Sequence, residues 1–184
     1  TVNGGGVQTS CTNTVTGESS GINGLTFTAH QTGTGTVTVG SDRAKIEKGI
    51  TDFVAQYNKV QSFIDANTAS TTNAAGKVSA GPMQSEQEVL DIAAELRSLS
   101  VGSVSALSTT LDRLSDIGIE TNGYDNKLAI SDTTIFSDSL INDLGKVTTL
   151  FQDSTDGIAV LMNAFVEKQI GDEGVIPSKV DSIA

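Results

Sequence analysis

The chain has one cysteine, one histidine, no tryptophan and two prolines in 184 residues, and 11 Lys and Arg stand against 22 Asp and Glu. Each shortage closes off a class of function. Cys11 alone makes no intrachain disulfide, so it reads as an incidental thiol and is silent about redox compartment. One Cys and one His cannot supply a zinc site. A Ser-His-Asp or Cys-His site would have to recruit His30, which has no nucleophile patterned beside it and reads as an exposed side chain. A net charge of -11 argues against nucleic acid and against anionic membranes, because no cluster of Lys or Arg is present to neutralise phosphates. No apolar run approaches the roughly 18 residues of a membrane span. The N-terminus lacks the basic and apolar regions of a cleaved signal peptide, which predicts a cytoplasmic protein or one exported by another route.

Other chemical signatures are equally thin. Gly4-Gly5-Gly6 and Gly33-Thr34-Gly35 carry no P-loop lysine and open no helical pattern, so they read as turns and not as phosphate cradles. Asp153, Asp156, Asp172 and Glu173 lack the alternating ligand spacing of a calcium loop, and helix capping or a solvated turn explains them better. Glu86, Glu88 and Asp52 are what an acidic chain supplies anyway. No enzyme, no cofactor and no metal is expected.

What the chain has in quantity is Thr, Gly, Ser and Asn, concentrated in its first forty residues. Leu25, Phe27 and Ala29 alternate with Thr26, Thr28 and His30, and Thr36 to Val39 alternate again. With Gly33-Thr34-Gly35 between, the pattern predicts a hairpin. Weaker strands are expected around Thr1 to Asn3 and Val7 to Val15. So few apolar side chains cannot make a core, so this stretch reads as part of a larger sheet.

The pattern changes at Ser41-Asp42, a capping position ahead of a long helix. Ile46, Ile50, Phe53, Val54, Tyr57, Val60 and Ile64 recur at spacings of three and four and form one apolar stripe. Residues Asn67 to Pro82 read as an exposed connection. Ser85-Glu86-Gln87-Glu88 fits a capping box and opens a second helix with Val89, Ile92, Ala93, Leu96 and Leu99 on its buried face. Ser100 to Leu114 is expected to be irregular or weakly helical. Ile117-Gly118-Ile119 and Leu128-Ala129-Ile130 flank Asn122-Gly123 and predict a second hairpin. Ser131 or Asp132 caps a short helix through Ile135, Phe136 and Leu140, and Asn142 or Asp143 caps another with Val147, Leu150 and Phe151. The last long helix starts at Asp156, carries Ile158, Leu161, Met162, Phe165 and Val166, and stops at Gly171 and Gly174. Val175 to Ala184 begins a further segment, so both ends read as continuing into a longer protein.

The predicted fold class is α+β: a mainly helical domain of antiparallel helices plus one small β-hairpin, preceded by a partial β-rich segment.

The order of these motifs resembles the bacterial flagellar filament cap proteins, the flagellar hook-associated protein 2 family, from end to end. Asn13-Thr14-Val15 and Ile22-Asn23-Gly24-Leu25-Thr26-Phe27 are similar to the family's Asn-x-Val followed by Ile-Pro-Gly-Val-Thr-Leu, with Asn23 in place of the usual Pro. Thr36 to Val39, then Phe53-Val54-x-x-Tyr57-Asn58, form the most characteristic stretch. Leu114-x-x-Ile117-Gly118-Ile119, Lys127-Leu128-x-Ile130 and Leu150-Phe151 follow in the family's order, and Gly171 through Ile176 matches the approach to its C-terminal helix.

The resemblance implies that residues 1–40 are the returning part of an outer β-rich domain, 41–176 the helical inner domain, and 177–184 the start of a truncated C-terminal helical segment of coiled-coil type. It implies a secreted, non-catalytic protein at the flagellum tip that leaves through the flagellar export channel without a cleaved signal peptide. There it forms a ring-shaped homo-oligomer and promotes folding and insertion of exported flagellin. Hook-filament junction proteins and an export chaperone are further implied partners; nucleic acid and membrane insertion are not. Two other readings remain open: another exported axial protein, and a surface adhesin binding mucin or glycans through the Thr-rich strands.

Overall fold

Apolar side chains are rare before Asp42 and periodic after it, and the fold divides at the same place. The computed structural model describes residues 4–178 except 8, 10, 39, 108, 109 and 173. It separates into two units, Thr1–Ser41 and Asp42–Ala184.

In the first unit, β1 (Thr14–Val15) pairs antiparallel with β2 (Phe27–Thr28), placing Thr14 opposite Thr28 and Val15 opposite Phe27. The facing Thr14 and Thr28 hydroxyls lie 3.1 Å apart. Between the strands, α1 (Gly17–Ser20) is a single turn, closed by Gly21 at φ 72. The expected hairpin of residues 25–29 with 36–39 does not form. Phe27 pairs backwards with Val15, and residues 29–38 are irregular, with Val37 58% exposed; Val39 lies outside the described residues. Alternation alone does not hold a ladder that has no apolar surface to cover it. His30 is therefore exposed on irregular backbone and not on a strand. The strand expected at Thr1 to Asn3 lies outside the described residues, and among the described residues of Val7 to Val15 only β1 is paired.

The second unit opens with α2 (Arg43–Thr68), capped by Asp42, whose Oδ1 accepts the Lys45 N–H at 3.1 Å. Ile50, Val54, Tyr57 and Ile64 are buried along it. Val60, expected in the stripe, is instead exposed, and Gln61 takes a fully buried position at 0% exposure. The connection after α2 contains an exposed two-residue hairpin, β3 (Thr71–Thr72) with β4 (Val78–Ser79), that polarity alone did not signal. The next helix, α3 (Gln87–Val101), takes Glu86 and not Ser85 as its N-cap, because a turn closed by Glu86 N–H to Met83 O delays its start.

Irregular backbone follows, but it buries Val104 and Leu111. A short 3-10 turn, Leu114–Ile117, leads through Gly118 into β5 (Ile119–Thr121), paired with β6 (Leu128–Ile130) in the register Ile119 to Ile130. Ile117, expected in the strand, closes the 3-10 turn instead. Three helices follow: α4 (Thr133–Asn142), α5 (Leu144–Gln152) and α6 (Ile158–Ile170), the last taking Gly157 and not the expected Asp156 as its N-cap, because Asp156 is drawn to the Ser105 N–H instead. Asp132 caps α4 by accepting the Thr134 and Ile135 N–H groups, each at 2.9 Å. Residues 175–178 form a further helical turn, and 179–184 lie outside the described residues.

The fold is thus α+β and mainly helical. Its hydrophobic core gathers α2, α3, the hairpin and α4 to α6, and Leu114, Ile117, Ile119, Leu150 and Ile158 are its most deeply buried large side chains.

Candidate interaction surface

Tyr57 and Asn58 are neighbours in sequence, so on a helix they point about 100° apart, and each fastens α2 to a different element. Asn58 works as a one-residue strand. Its Nδ2 donates to the Leu128 carbonyl at 2.7 Å while its Oδ1 accepts the Leu128 N–H at 2.8 Å, which locks β6 to the helix. Tyr57 belongs to a buried polar relay. Gln61 Nε2 donates to the Tyr57 hydroxyl and to the Ala93 carbonyl, both at 3.2 Å, and the Tyr57 hydroxyl lies 3.5 Å from Ser100 Oγ. Ser100 in turn donates to the Arg97 carbonyl at 2.8 Å. The relay ties α2 to α3 with directional bonds that an apolar seam would lack.

Phe53 meets Phe151 edge to face with ring centroids 5.6 Å apart, joining α2 to α5. Gly118 adopts φ 75, and a Cβ there would collide with the Asp132 carbonyl. Its own carbonyl accepts the Ser131 N–H at 2.9 Å, so the close approach seats the start of α4 on the turn before β5. Ile117, Ile119 and Leu128 are buried around this junction. The family-pattern positions Phe53, Tyr57, Asn58, Ile117, Gly118, Ile119, Leu128 and Phe151 therefore converge on one packing centre. Asn13, Val15, Gly24 and Leu25 belong to the other unit. There the Asn13 carbonyl accepts the Ala29 N–H at 2.8 Å, and Gly24, at φ 79, turns the chain into β2.

Acidic residues serve as local fasteners. Asp153 Oδ1 accepts the Thr155 and Asp156 N–H groups, and Asp156 Oδ2 accepts the Ser105 N–H at 2.7 Å. Hydrogen bonds from Ser105, through its side chain and then its backbone, hold the Asp156 carboxyl below the usual carboxylate range. Glu173 lies outside the described residues. Among the described residues, no group of three or more His, Cys, Asp or Glu could hold a metal ion, and no helix is long and apolar enough to cross a membrane. Cys11 is exposed.

The conspicuous feature of the surface is apolar. A groove of about 540 Å³ runs between α2, α3 and α6, lined by Phe53, Val60, Ile92, Met162, Phe165 and Ile170. Polar contributions to its walls come from Gln56, Asn163 and Gln169, and none of its lining residues is charged. Helical spacing assigned Val60 and Val166 to the buried face, whereas both line this open groove. A second feature had no signal in the hydrophobic pattern. Tyr124, at the tip of the β5-β6 hairpin, is 99% exposed. Its loop is well tied: Asn122 Oδ1 accepts the Tyr124 and Asp125 N–H groups, both at 3.1 Å, and Asp125 pairs with Lys127 at 2.9 Å.

The arrangement is that of a packing module, with a tightly bonded interior and an uncharged apolar surface groove. No curated protein and no solved structure gives a match. The family described as flagellar hook-associated protein 2 C-terminus matches residues 1–184. That span is the whole chain, in line with the motif order from Asn13 to Ile176, and the protein therefore belongs to the flagellar hook-associated protein 2 C-terminus family.

Proposed function

We propose that this flagellar hook-associated protein works as a filament cap component. Copies pack into a ring at the filament tip and promote the folding and insertion of exported flagellin, without catalysis. The observation that carries the reading is the uncharged apolar groove of unit Asp42–Ala184, left open among the described residues beside the hydrophobic core. A protein that acts by packing needs a rigid body and an apolar surface to offer, and this unit has both. In the same reading, residues 1–40 are the returning strands of an outer β-rich domain, 41–176 the helical inner domain, and 177–184 the beginning of a further helical segment. The tip location makes the working environment extracellular.

Disrupting the gene in the source bacterium tests the proposal. The expected result is short filaments with flagellin shed into the medium, restored by the intact gene. Normal filaments would sink the cap reading, and normal filaments with lost adhesion to mucin would favour an adhesin.

A further inference from the structure

Helix α3 is held more weakly than its neighbours. Leu96 is the one large apolar side chain it buries, and its other buried positions, Ala93 and Ser100, are small. The shorter α5 buries Val147, Leu150 and Phe151. The ends differ too. In α2, α4, α5 and α6 the C-cap N–H bonds back to the last turn. After α3, Gly102 is extended, at ψ 164, and makes no such bond among the described residues. The Val101 carbonyl is reached only from outside the helix, by Arg113 Nη1 at a long 3.3 Å.

Open space borders α3 on both flanks. Ile92 and Leu96 line the groove of about 540 Å³, opposite Val60 of α2. Leu90 and Ala94 border a second cleft of about 470 Å³, whose α2 wall includes Ile64 and Asp65. At 100° per residue the two α3 pairs fall on opposite sides of the Ala93 direction. Between the clefts α3 therefore rests on a narrow floor, and much of that floor is polar: the Gln61 amide on the Ala93 carbonyl, and the Tyr57 hydroxyl beside Ser100. The seat is incompletely bonded. Gln61 is fully buried, yet its Oε1 has no hydrogen-bond partner among the described residues, and the Tyr57–Ser100 contact, at 3.5 Å, is at the outer limit of a hydrogen bond. A buried amide oxygen without a partner penalises the docked state, and water relieves that penalty once the seat opens.

We propose that α3 is a strap that lifts off α2 and α6 as a unit, joining its two flanking clefts into one trough along α2. The frame that stays packed is α2, the β5-β6 hairpin and α4 to α6, which carry the large buried apolar side chains apart from Leu96 and those of residues 104–117. The polar relay is the latch. Its directional bonds return α3 to a single register, while the orphaned oxygen keeps the closed state from being held too firmly. Off its support, a helix of 15 residues is marginal in water, so a lifted α3 also unwinds. Opening enlarges the apolar surface that the proposed packing role uses, but it follows from the packing of α3 whether or not the cap reading holds.

Native-state hydrogen exchange of the whole chain tests the strap. Amides of residues 92–100 should open together and exchange at least about tenfold faster than those of residues 54–64 in α2 and 147–151 in α5. Gln61→Met removes the orphaned oxygen at similar volume and leaves the Ala93 carbonyl its partner within α3. It should slow exchange across α3 by about fivefold or more and leave α5 unchanged. If Gln61→Met does not reach the parent fold, Gln61→Leu replaces it. Protection of α3 equal to that of α2 and α5 overturns the proposal, as does exchange that spreads only from the ends of α3. So does a variant at position 61 whose α3 exchanges as fast as the parent's or faster. None of these rates depends on filament length after gene disruption, so the functional reading and the strap fail separately.

Discussion

Thr1–Ser41 and Asp42–Ala184 draw on the same Thr, Ser, Gly and Asn vocabulary, yet only the second builds a core. Among the described residues before Asp42, Ser20 alone is buried, and the paired strands are two residues long. After Asp42 the buried apolar residues run from Ile50 to Met162, and all but Ile64 and Ala93 belong to one cluster. Backbone hydrogen bonds are available to both units, so they do not make the difference. Apolar side chains repeating at helical spacing do, because they let each element cover its neighbour.

The contrast is tested most severely in the core. Leu150→Ala, at a site with 0% exposure, should cost about 3–5 kcal/mol in urea unfolding, while Phe27→Ala should cost below about 1 kcal/mol. Equal losses would break the comparison. Two glycines sharpen it next. Gly118 (φ 75) and Gly24 (φ 79) share a backbone conformation, but only at Gly118 does a Cβ meet another chain segment. Gly24→Ala should cost about 1 kcal/mol from left-handed strain alone, and Gly118→Ala about 3 kcal/mol or more, read as shifted urea midpoints.

Smaller effects follow from single fasteners. Asn58→Ala leaves both Leu128 backbone groups without their partner and should cost about 2 kcal/mol, with faster amide exchange at Leu128 than at Ile119. Asp132→Ala removes a cap that satisfies two amides of α4 and should cost about 1 kcal/mol by thermal denaturation. The smallest effect is electrostatic. The Asp125 carboxyl is lowered first by its hydrogen bond from Lys127, and Asp156 is lowered by Ser105. A carboxylate depressed in the fold stabilises above its unfolded value and loses that contribution as pH falls through its folded value. Carboxyl signals of both residues in an NMR titration should therefore move below the usual 3.8, and the hairpin tip should loosen only in that acidic window.

Legibility followed the same division. α2 could be read from Asp42 and its stripe and α4 from the Asp132 cap, because capping depends on residues close in sequence; α5 and α6 were legible from their spaced Leu, Ile and Phe, although Asp143 makes no side-chain cap and Gly157, not Asp156, precedes α6. The 36–39 strand was misread because pairing depends on a distant partner, and Phe27 found Val15 instead. Gln61 was passed over because polarity argued against burial; its place is made by Tyr57 and by the Ala93 carbonyl, residues that come together only through packing.

By itself the sequence determined the absence of a His, Cys or cationic set for chemistry, the division near Asp42, the helices and the motif order that carries the family. The tertiary structure alone decided which flank of α2 each residue serves. Tyr57 and Gln61 face α3, Asn58 faces the hairpin, and Val60 is left to an open groove. Periodicity fixes angles around one helix axis, but only the neighbours on each side determine which of those angles become core and which remain surface.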